Sequence, residues 1–472
     1  MASGLNRPAG SLDIRTALEP YRGTWNDRLA AHLLRRAGFG GSPTDIGRFT
    51  AMNAHDAVET LIHFSDTSLL PEPDVMPNPI AQLQAARQMT GTDMTKRQAV
   101  QDIRKQARES TIGMQLWWLN RMLATPAPLQ EKMTLFFHGH FTTAAIEKGV
   151  WPNYVYQQNK LYRDNALGNL RDLTLAVSQN PAMLIYLDNA SSNKAHPNEN
   201  YARELMELFT LGHGNYSEED IRQSARAFTG WSLDRSTGEF TINTRAHDTG
   251  TKTFLGKTGN FDGSDIVSII YQQPACARFW ANSLLGFFVY DDPEPELVEA
   301  FAAVIVRNDF NLAPSMSRLL QSNVFFSDRA YRALIKSPAE FVVGVHKALE
   351  LQQIELRSLR AMPAMGQALF YPPNVAGWPG GTNWLTSQTL IARENFAVSL
   401  IRSPLADQSQ WLSRVPTMPT EADRAAHEIA FTILQNDAPA QAFAQLVDYI
   451  RDTTDVRGAA YLTMAMPAYQ LA

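Results

Sequence analysis

The sequence predicts a mainly α-helical protein built as one large unit, with a small β-hairpin-like insertion near residues 231–263. Apolar residues recur at helical spacing along most of the 472-residue chain. One clear example is the series Leu129, Met133, Phe136 and Phe137. Only the stretch 231–263, which is rich in Gly, Thr and Asp and contains short alternating runs such as EFTIN, departs from that pattern. We therefore expect two or three short strands there and helices elsewhere.

The composition indicates an ordinary globular chain and excludes some classes of function. A net charge of −5 and a pI near 6.1 give no nucleic-acid footprint. No apolar run approaches the roughly 18 residues of a membrane span. The first residues also lack the apolar core of about 7–15 residues that a signal peptide needs. We expect an extracytoplasmic location, periplasmic or secreted, if a leader has been trimmed, and a cytoplasmic one otherwise.

The domain prediction has three parts. Residues 1–27 form an N-terminal extension, residues 28–398 form the helical core with its insertion, and residues 399–472 form a C-terminal helical extension packed on the core. Cys276 is the only cysteine, which excludes an intramolecular disulfide and a thiolate zinc cage. Any metal would therefore be held by His, Asp, Glu or Asn.

Two histidines flank a glycine in KMTLFFHGHFTT, residues 132–143. We expect the helix to end near Gly139, with His138 in its last turn and His140 just beyond, so that the chain bends and brings both rings to one side. The C-terminal end of a helix dipole would make His138 easier to protonate. The alternative is that both are core histidines with satisfied hydrogen bonds.

The helix NYARELMELFTLG, residues 200–212, places Arg203, Glu204 and Glu207 on the face opposite its apolar residues. Two carboxylates at this spacing can serve as paired oxygen ligands, as they do in helical metalloproteins. The competing interpretation is a solvated stripe with Arg203 paired to Glu207. The next helix carries Arg222 and Arg226, which could approach the same glutamates in an interhelical ion-pair network.

Further polar residues occur in the loops on either side of the glutamate helix. His247 and Asp248 fall in the β insertion, where they could supply ligands or a general base or be ordinary surface groups. Asn189 lies in the polar loop that leads to the glutamate helix, and Asn200 lies at the start of that helix. Binding sites tend to be built on loops of this kind.

A Pro- and Gly-dense segment, FYPPNVAGWPGGTNWL at residues 370–385, is too irregular for a helix or a strand. We expect an ordered aromatic loop. Its side chains Tyr371, Asn374, Trp378 and Trp384 could form a platform for a polar ring such as a sugar. The alternative, which the sequence supports at least equally well, is that the loop is a rigid aromatic plug over the helical core.

Several stretches together resemble a bacterial family, the domain of unknown function 1800 family. The matching stretches, in the family's order, are HLLRRAGFG (32–40), MTLFFHGHFTT (133–143), NENYARELMELFTLG (198–212), ARAFTGW (225–231), HDTGTKTFLG (247–256), KSPAEFVVG (336–344) and MGQALFYPPNVAGWPGGTNWL (365–385). The resemblance covers residues 28 to 398. Around the histidines the family often has Trp and Asn, where this chain has Phe137 and Gly139.

The resemblance implies a bacterial protein, often exported and encoded beside a sulfatase- or phosphatase-like protein. It brings no catalytic residues with it. The favoured hypothesis, drawn from the residues, is an enzyme for metal-assisted hydrolysis or modification of a polar, carbohydrate-like substrate, using Zn²⁺, Mn²⁺ or Fe²⁺. Its metal ligands would be His138, His140 and Glu204, its catalytic groups Glu204, Glu207, His247 and Asp248, and its substrate-binding residues Asn189, Asn200, Arg203, Tyr371, Asn374, Trp378 and Trp384.

Two alternatives stay open at this point. One is a metal-free glycoside hydrolase in which paired carboxylates, Glu204 or Glu207 beside an arginine, act as acid and base. The other is a non-catalytic helical scaffold that presents the aromatic loop to a sulfatase-like partner protein. In the scaffold, the Glu and Arg faces would be structural ion pairs.

Overall fold

The computed structural model describes residues 13–472 apart from 66, 68, 90, 91, 235, 236 and 436. Residues 1–12 of the predicted N-terminal extension lie outside this description. Residues 13–27 run along the body of the protein. Their backbone bonds to the segment 321–324, through pairs such as Tyr21 N–H to the Gln321 carbonyl at 2.7 Å.

The described residues form helices along almost the entire chain. The first group is α1 Ile14–Ala17, α2 Asp27–Arg36, α3 Pro43–Thr50, α4 Ala54–Ile62, α5 Ile80–Gln88, α6 Asp93–Ala124, α7 Pro128–His140 and α8 Pro152–Asp164. The second is α9 Leu170–Gln179, α10 Pro181–Tyr186, α11 Glu199–Glu204, α12 Glu218–Ala227, α13 Gly263–Ile270, α14 Pro274–Phe288, α15 Pro295–Arg307 and α16 Leu312–Leu320. The third is α17 Pro338–Ala348, α18 Leu356–Ala361, α19 Ser387–Ile401, α20 Gln410–Arg414, α21 Ala422–Leu434, α22 Ala440–Thr453 and α23 Val456–Ala465.

The strands lie in the stretch that the sequence predicts, but the described residues form four of them, where two or three were expected. Strand β1, Trp231–Leu233, pairs antiparallel with β2, Phe240–Ile242, and β3, Lys252–Phe254, pairs antiparallel with β4, Lys257–Gly259. The two hairpins form separate two-stranded sheets. The predicted fold class, mainly α with a small hairpin insertion, is confirmed.

Local sequence signals account for several helix starts. Ser42, Ser217 and Ser337 each accept a hydrogen bond from the third residue of the following helix, whose Asp or Glu bonds back to the serine backbone. This reciprocal box satisfies two amides that a helix start otherwise leaves unpaired. These caps fix where α3, α12 and α17 begin.

The larger of two hydrophobic clusters among the described residues runs through the molecule, from Ala17 near the start of the described chain to Tyr469 near its end. It includes Trp118 of the long helix α6 and Ile429 and Ile450 of the C-terminal helices, all fully buried. Among the described residues, no helix combines the length and apolar character that crossing a membrane requires.

Two helices differ from the sequence prediction in ways that matter for the site. Helix α7 runs through Gly139 and ends at His140, one residue later than expected. The glutamate helix is α-helical only to Glu204 and continues as a π-helix over Leu205–Thr210. There the Leu211 amide bonds back five residues, to the Met206 carbonyl at 2.8 Å. A π turn widens the helix and rotates the residues after it.

Candidate functional site

The two histidines of helix α7 lie on opposite sides of that helix. Because the helix continues through Gly139, residues two apart are rotated by about 200°. The His138 ring packs against Trp118, with centroids 4.8 Å apart, and the His140 ring stacks on Trp280 at 4.3 Å. The expectation that both rings turn to one side is therefore wrong, because it required the helix to end at Gly139.

His138 is a buried histidine bonded through Nε2 into a polar network. The Asn159 amide nitrogen donates to its Nε2 at 3.0 Å, and the amide oxygen of Asn159 accepts from Arg163 at 2.7 Å. This second bond fixes the amide orientation, so Nε2 of His138 is the acceptor and the ring is neutral. Burial, with a contribution from Arg163, lowers the pKa of His138 to about 3. The expectation of easier protonation is wrong, because burial outweighs the helix dipole.

Glu131 anchors the same network and is fully buried. Its carboxylate accepts from the Trp118 indole at 2.8 Å, from Arg121 Nε at 2.7 Å and from Arg163 Nε at 2.6 Å. Burial alone would raise the pKa of Glu131, but the two arginines outweigh it and the pKa lies below its ordinary value. With its charge paired and its oxygens occupied, this side of α7 is structural.

His140 lies on the other side of α7 and faces a cavity. Its Nε2 donates to the Phe209 carbonyl at 2.9 Å, at the end of the π-helix. Burial lowers the pKa of His140 to about 4, and the bond to Phe209 opposes that shift only in part. His140 is therefore neutral near pH 7, with Nε2 already used.

The cavity beside His140 has a volume of about 310 Å³, within the range of small-molecule sites. It lies among the ends of α2, α7 and α14, the start of α17 and the loop 370–385. Its aromatic walls are Phe136, Phe287, Trp378 and Trp384. We call it the tryptophan cavity.

The aromatic loop reaches this cavity through a close backbone contact. Gly377 has a φ of +87°, and a Cβ built there would lie 2.3 Å from the Gly139 carbonyl oxygen. Only glycine allows that approach. The Thr142 hydroxyl donates to the Val375 carbonyl beside it. The loop is thus pinned to the end of α7, which sets Trp378 and Trp384 over the cavity.

The loop residues predicted to bind substrate separate into two groups. Trp378 and Trp384 line the cavity, and the benzo edge of Trp384 lies 3.8 Å from a Cβ built on Gly380. Tyr371 is half-buried against the hydrophobic core, and Asn374 is exposed, with its side chain accepting from the Ala376 amide at 2.9 Å. Neither Tyr371 nor Asn374 lines the tryptophan cavity.

A buried ion pair forms one wall of the cavity. Lys132 donates to a Glu340 carboxylate oxygen and to the Gly38 carbonyl at 3.1 Å. The other oxygen of Glu340 accepts from the Ser337 amide at 2.7 Å. Burial opposes the charge of Glu340, but Lys132 outweighs it and holds the pKa of this carboxyl below its ordinary value. Glu340 is therefore an anion held in place.

Asp291 is the second carboxylate of the cavity and lies exposed at its edge. Among the described residues it has no ion pair and no side-chain hydrogen bond. Burial of part of its surface and the charge of Asp292 raise the pKa of Asp291, and Arg36 opposes them. The two carboxyls thus have pKa values displaced in opposite directions.

The sequence reasoning did not select Arg36, Lys132, Asp291, Glu340 or Gln367. Four of these five had a usable signal. Arg36, Glu340 and Gln367 lie inside stretches that carry the family resemblance, and Lys132 directly precedes another. A polar residue that lies in such a stretch and also on the apolar face of a helix could therefore have been selected as a candidate site residue. Asp291 lies outside every such stretch.

The glutamate helix makes its own surface contacts away from this cavity. Arg203 forms a bidentate ion pair with Glu218, in which both guanidinium nitrogens lie 2.9 Å from a carboxylate oxygen. It does not pair with Glu207. Glu207 accepts from the Tyr216 hydroxyl at 2.7 Å and lies 3.2 Å from His213. Burial and the charge of Glu207 raise the pKa of Glu204.

The arginines of α12 also pair elsewhere. Arg222 bonds Glu219 at 2.7 Å, and Arg226 bonds both oxygens of Asp248, at 2.7 and 3.1 Å. The expectation that Arg222 and Arg226 approach the glutamates Glu204 and Glu207 is therefore wrong. The pairing with Arg226 lowers the pKa of Asp248.

The remaining predicted residues lie apart from the tryptophan cavity. The Nδ1 of His247 donates to the Thr229 carbonyl at 2.8 Å, which anchors the hairpin insertion to the end of α12. Asn189 is fully buried and neither atom of its amide has a hydrogen-bond partner. Asn200 is exposed. None of the three lines the cavity.

The predicted metal ligands are not brought together. His138 bonds Asn159, His140 bonds the Phe209 carbonyl, and Glu204 lies on the glutamate helix. Within the described part of the chain, no group of three or more His, Cys, Asp or Glu side chains is arranged to hold a metal ion. A metal role for these residues stays a prediction.

The fold and the cavity together define a large helical protein with an aromatic, charged cavity at the end of helix α7. The chain belongs to the family described as Protein of unknown function (DUF1800), whose model matches residues 32–471. This confirms the resemblance and extends it through the C-terminal helices. No curated protein and no solved structure matches the chain.

Proposed function

We propose that the tryptophan cavity is the active site of a hydrolase that binds a polar ring, a sugar unit of its substrate, and cleaves a bond to that ring. The observation that carries the proposal is the pairing of Trp378 and Trp384 with two carboxyls, Asp291 and Glu340, in one cavity of about 310 Å³. Large aromatic faces combined with a few convergent polar groups are typical of small-molecule sites.

The opposite pKa displacements of the carboxyls suggest their roles. Asp291, whose pKa is raised, keeps its proton to a higher pH and is suited to protonate a leaving oxygen. Glu340, held ionised by Lys132, is suited to stabilise positive charge that develops on the sugar ring. Most glycoside hydrolases use two carboxyl groups, one as a general acid and the other as an anion that acts on the sugar ring or on water.

The proposal routes no step through a metal ion. Its acid and its anion are both residues of the cavity, and the described residues offer no three-ligand group at this place. It corresponds to the metal-free alternative, with Asp291 and Glu340 in place of Glu204 and Glu207. Because neither Glu204 nor Glu207 lines the tryptophan cavity, their catalytic role has no support from its geometry.

The proposal can be tested by screening the full chain against a panel of aryl glycosides, with an Asp291→Asn variant beside it. We expect the variant to lower kcat/KM about 100-fold or more against the best substrate, since general acid catalysis typically contributes that much. Trp378→Ala should instead raise KM.

Glu296→Gln is the matched control, because Glu296 is exposed and does not line the cavity. Equal activity of the Asp291→Asn and Glu296→Gln variants would contradict the proposal. Trp378-dependent sugar binding without any turnover would leave the cavity as a binding site and favour the scaffold alternative.

A further inference from the structure

We infer that the tryptophan cavity recognises an anionic ring, a sugar that carries a carboxylate or a sulfate ester, through Arg36 and Gln367. The inference rests on the proposed function, because it takes the cavity as the substrate site. It adds the chemical class of the substrate.

Arg36 is a buried cation. The charges of Glu340 and Asp291, which line the same cavity, raise its pKa, but burial outweighs them and lowers it. Its side chain is 2% exposed, and it lines the tryptophan cavity. Its Nε donates to the Phe288 carbonyl at 3.0 Å and its Nη2 to the Val289 carbonyl, both at the end of α14. Among the described residues it forms no ion pair, and its Nη1 has no acceptor.

An unpaired buried charge is costly, so a site that keeps one gains from a ligand of opposite charge. The Nη1 atom of Arg36 is not among the unpartnered nitrogens that are sealed from water. The cavity is the water-accessible space that Arg36 lines, so this nitrogen is available to a group bound there. An Arg nitrogen is a strong donor to carboxylate and sulfate oxygens.

Gln367 supplies a second free donor. It is 2% exposed, and its side-chain oxygen accepts from the Ala339 amide at 3.0 Å in the first turn of α17. This bond fixes the orientation of the amide, because an oxygen and not a nitrogen must face the Ala339 N–H. The NH₂ group therefore points away from Ala339. It has no partner among the described residues and is not sealed from water.

The other charged groups of the cavity do not offer the same opportunity. Lys132 is already paired with Glu340, and both carboxylate oxygens of Glu340 accept hydrogen bonds, one from Lys132 and one from the Ser337 amide. His140 is neutral and uses its Nε2 on Phe209. The free polar groups of the buried wall thus include two donors, Arg36 and Gln367, and one neutral acceptor, the Nδ1 of His140. Because one of the donors carries a positive charge, the wall as a whole suits an acceptor-rich anion. At the edge, Asp291 more readily stays protonated and neutral than an ordinary aspartate, which limits its repulsion of such a ligand.

The decisive variant is Gln367→Glu. It keeps an oxygen for the Ala339 amide and the shape of the side chain, replaces the free NH₂ donor by a second oxygen, and adds a negative charge. Gln98→Glu on the exposed face of α6 makes the same change in net charge away from the cavity and is the matched control. Arg36→Lys tests the first donor while retaining the positive charge.

The measurement is calorimetric titration of the full chain with glucuronic acid, glucose 6-sulfate and glucose at equal ionic strength. We expect one of the two anions to bind at least about 10-fold more tightly than glucose, as one charge-assisted hydrogen bond allows. Gln367→Glu should reduce the ratio of anion affinity to glucose affinity to about one or below, while Gln98→Glu retains the parent ratio. Which of the two anions binds better separates a carboxylate site from a sulfate site.

Two outcomes overturn the inference and are distinguishable from failure of the proposed function. If all three sugars bind equally and Trp378→Ala weakens all of them, the cavity binds sugars but does not select anions. If Gln367→Glu leaves anion binding intact, the recognition lies elsewhere. If no sugar binds to the parent protein, both the inference and the proposed function fall.

Discussion

Both sides of helix α7 contain buried polar groups, but these groups are bonded differently on the two sides. On the His138 side, Glu131 is bonded by Trp118, Arg121 and Arg163. On the other side, Arg36 and Gln367 are just as buried yet keep a donor free at a cavity. Burial alone therefore does not separate structural from functional polar residues in this protein. The useful criterion is whether the chain itself satisfies the group.

The largest expected effect on stability comes from disrupting the hydrogen-bond network around Glu131. Glu131→Gln removes a buried charge that two arginines require, and the free energy of unfolding should fall by about 3–5 kcal/mol. Urea denaturation followed by far-UV circular dichroism measures it. Glu219→Gln, which breaks an exposed pair with Arg222, is the control and should change nothing measurable. A loss below about 1 kcal/mol at Glu131 would mean that the network is not structural.

A second test uses pH on the same side of α7. The pKa of His138 is about 3 in the folded protein and near 6.5 when unfolded. The neutral ring therefore stabilises the fold fully above pH 6.5, and this stabilisation is lost as the pH falls from 6.5 toward 3. One such group contributes a slope of about 1.4 kcal/mol per pH unit.

His138→Gln should remove that slope, because Gln offers an acceptor to Asn159 but takes no proton. Stability measured by denaturant titration at pH 4.5, 5.5 and 6.5 checks this expectation. His427→Gln, on the exposed face of α21, should keep the parent slope. Other buried histidines such as His140 contribute their own slope in this pH range, so the two proteins must be compared. A slope in the His138→Gln protein equal to that of the parent would show that the His138 ring is already protonated in the fold.

His140 tests the boundary between the two sides. His140→Phe keeps the stacking on Trp280 but leaves the Phe209 carbonyl without its donor, which should cost about 1–2 kcal/mol in stability.

We expect the metal content of protein purified without chelators or a histidine tag to be the same in the parent protein and in a His138→Ala/His140→Ala double variant. One equivalent of a transition metal in the parent, lost from a folded double variant, would make these histidines ligands after all.

The smallest effect is expected at the glutamate helix. Glu204 is repelled by Glu207 and its pKa is raised, so its charge does not favour the fold. Glu204→Gln should leave the free energy of unfolding unchanged or raise it by at most about 0.5 kcal/mol. It should also leave the turnover of any aryl glycoside intact. Thermal unfolding and the same activity assay test both points, and lost activity would return the catalytic role to Glu204.

Local signals in the sequence were sufficient for most of the fold. The capping boxes at Ser42 and Ser217 fixed helix starts, and the Gly- and Thr-rich stretch 231–263 predicted the hairpins. The same signals misplaced the end of α7, because tertiary packing carried the helix through Gly139. They also missed the π-helix at Leu205–Thr210, whose bonds span five residues and leave no pattern in composition.

The site was less predictable than the fold. His140, Trp378 and Trp384 were selected and do line the cavity, while Arg36, Lys132, Asp291, Glu340 and Gln367 were not selected. Their roles depend on partners far away in the chain. Lys132 and Glu340, for example, are separated by 208 residues. The residues next to each of them in the sequence do not indicate that the two side chains form an ion pair.

The sequence by itself determined the class of fold, the family and the presence of an ordered aromatic loop, because each depends on periodicity or on contiguous motifs. Only the tertiary structure decided which buried polar groups are satisfied. It turned His138 toward the Glu131 network and His140 toward a cavity, since a continuous helix must point residues two apart to opposite sides. It also left Arg36 without a direct ion pair among the described residues, because charge pairing in a folded core depends on distances that the order of residues does not contain.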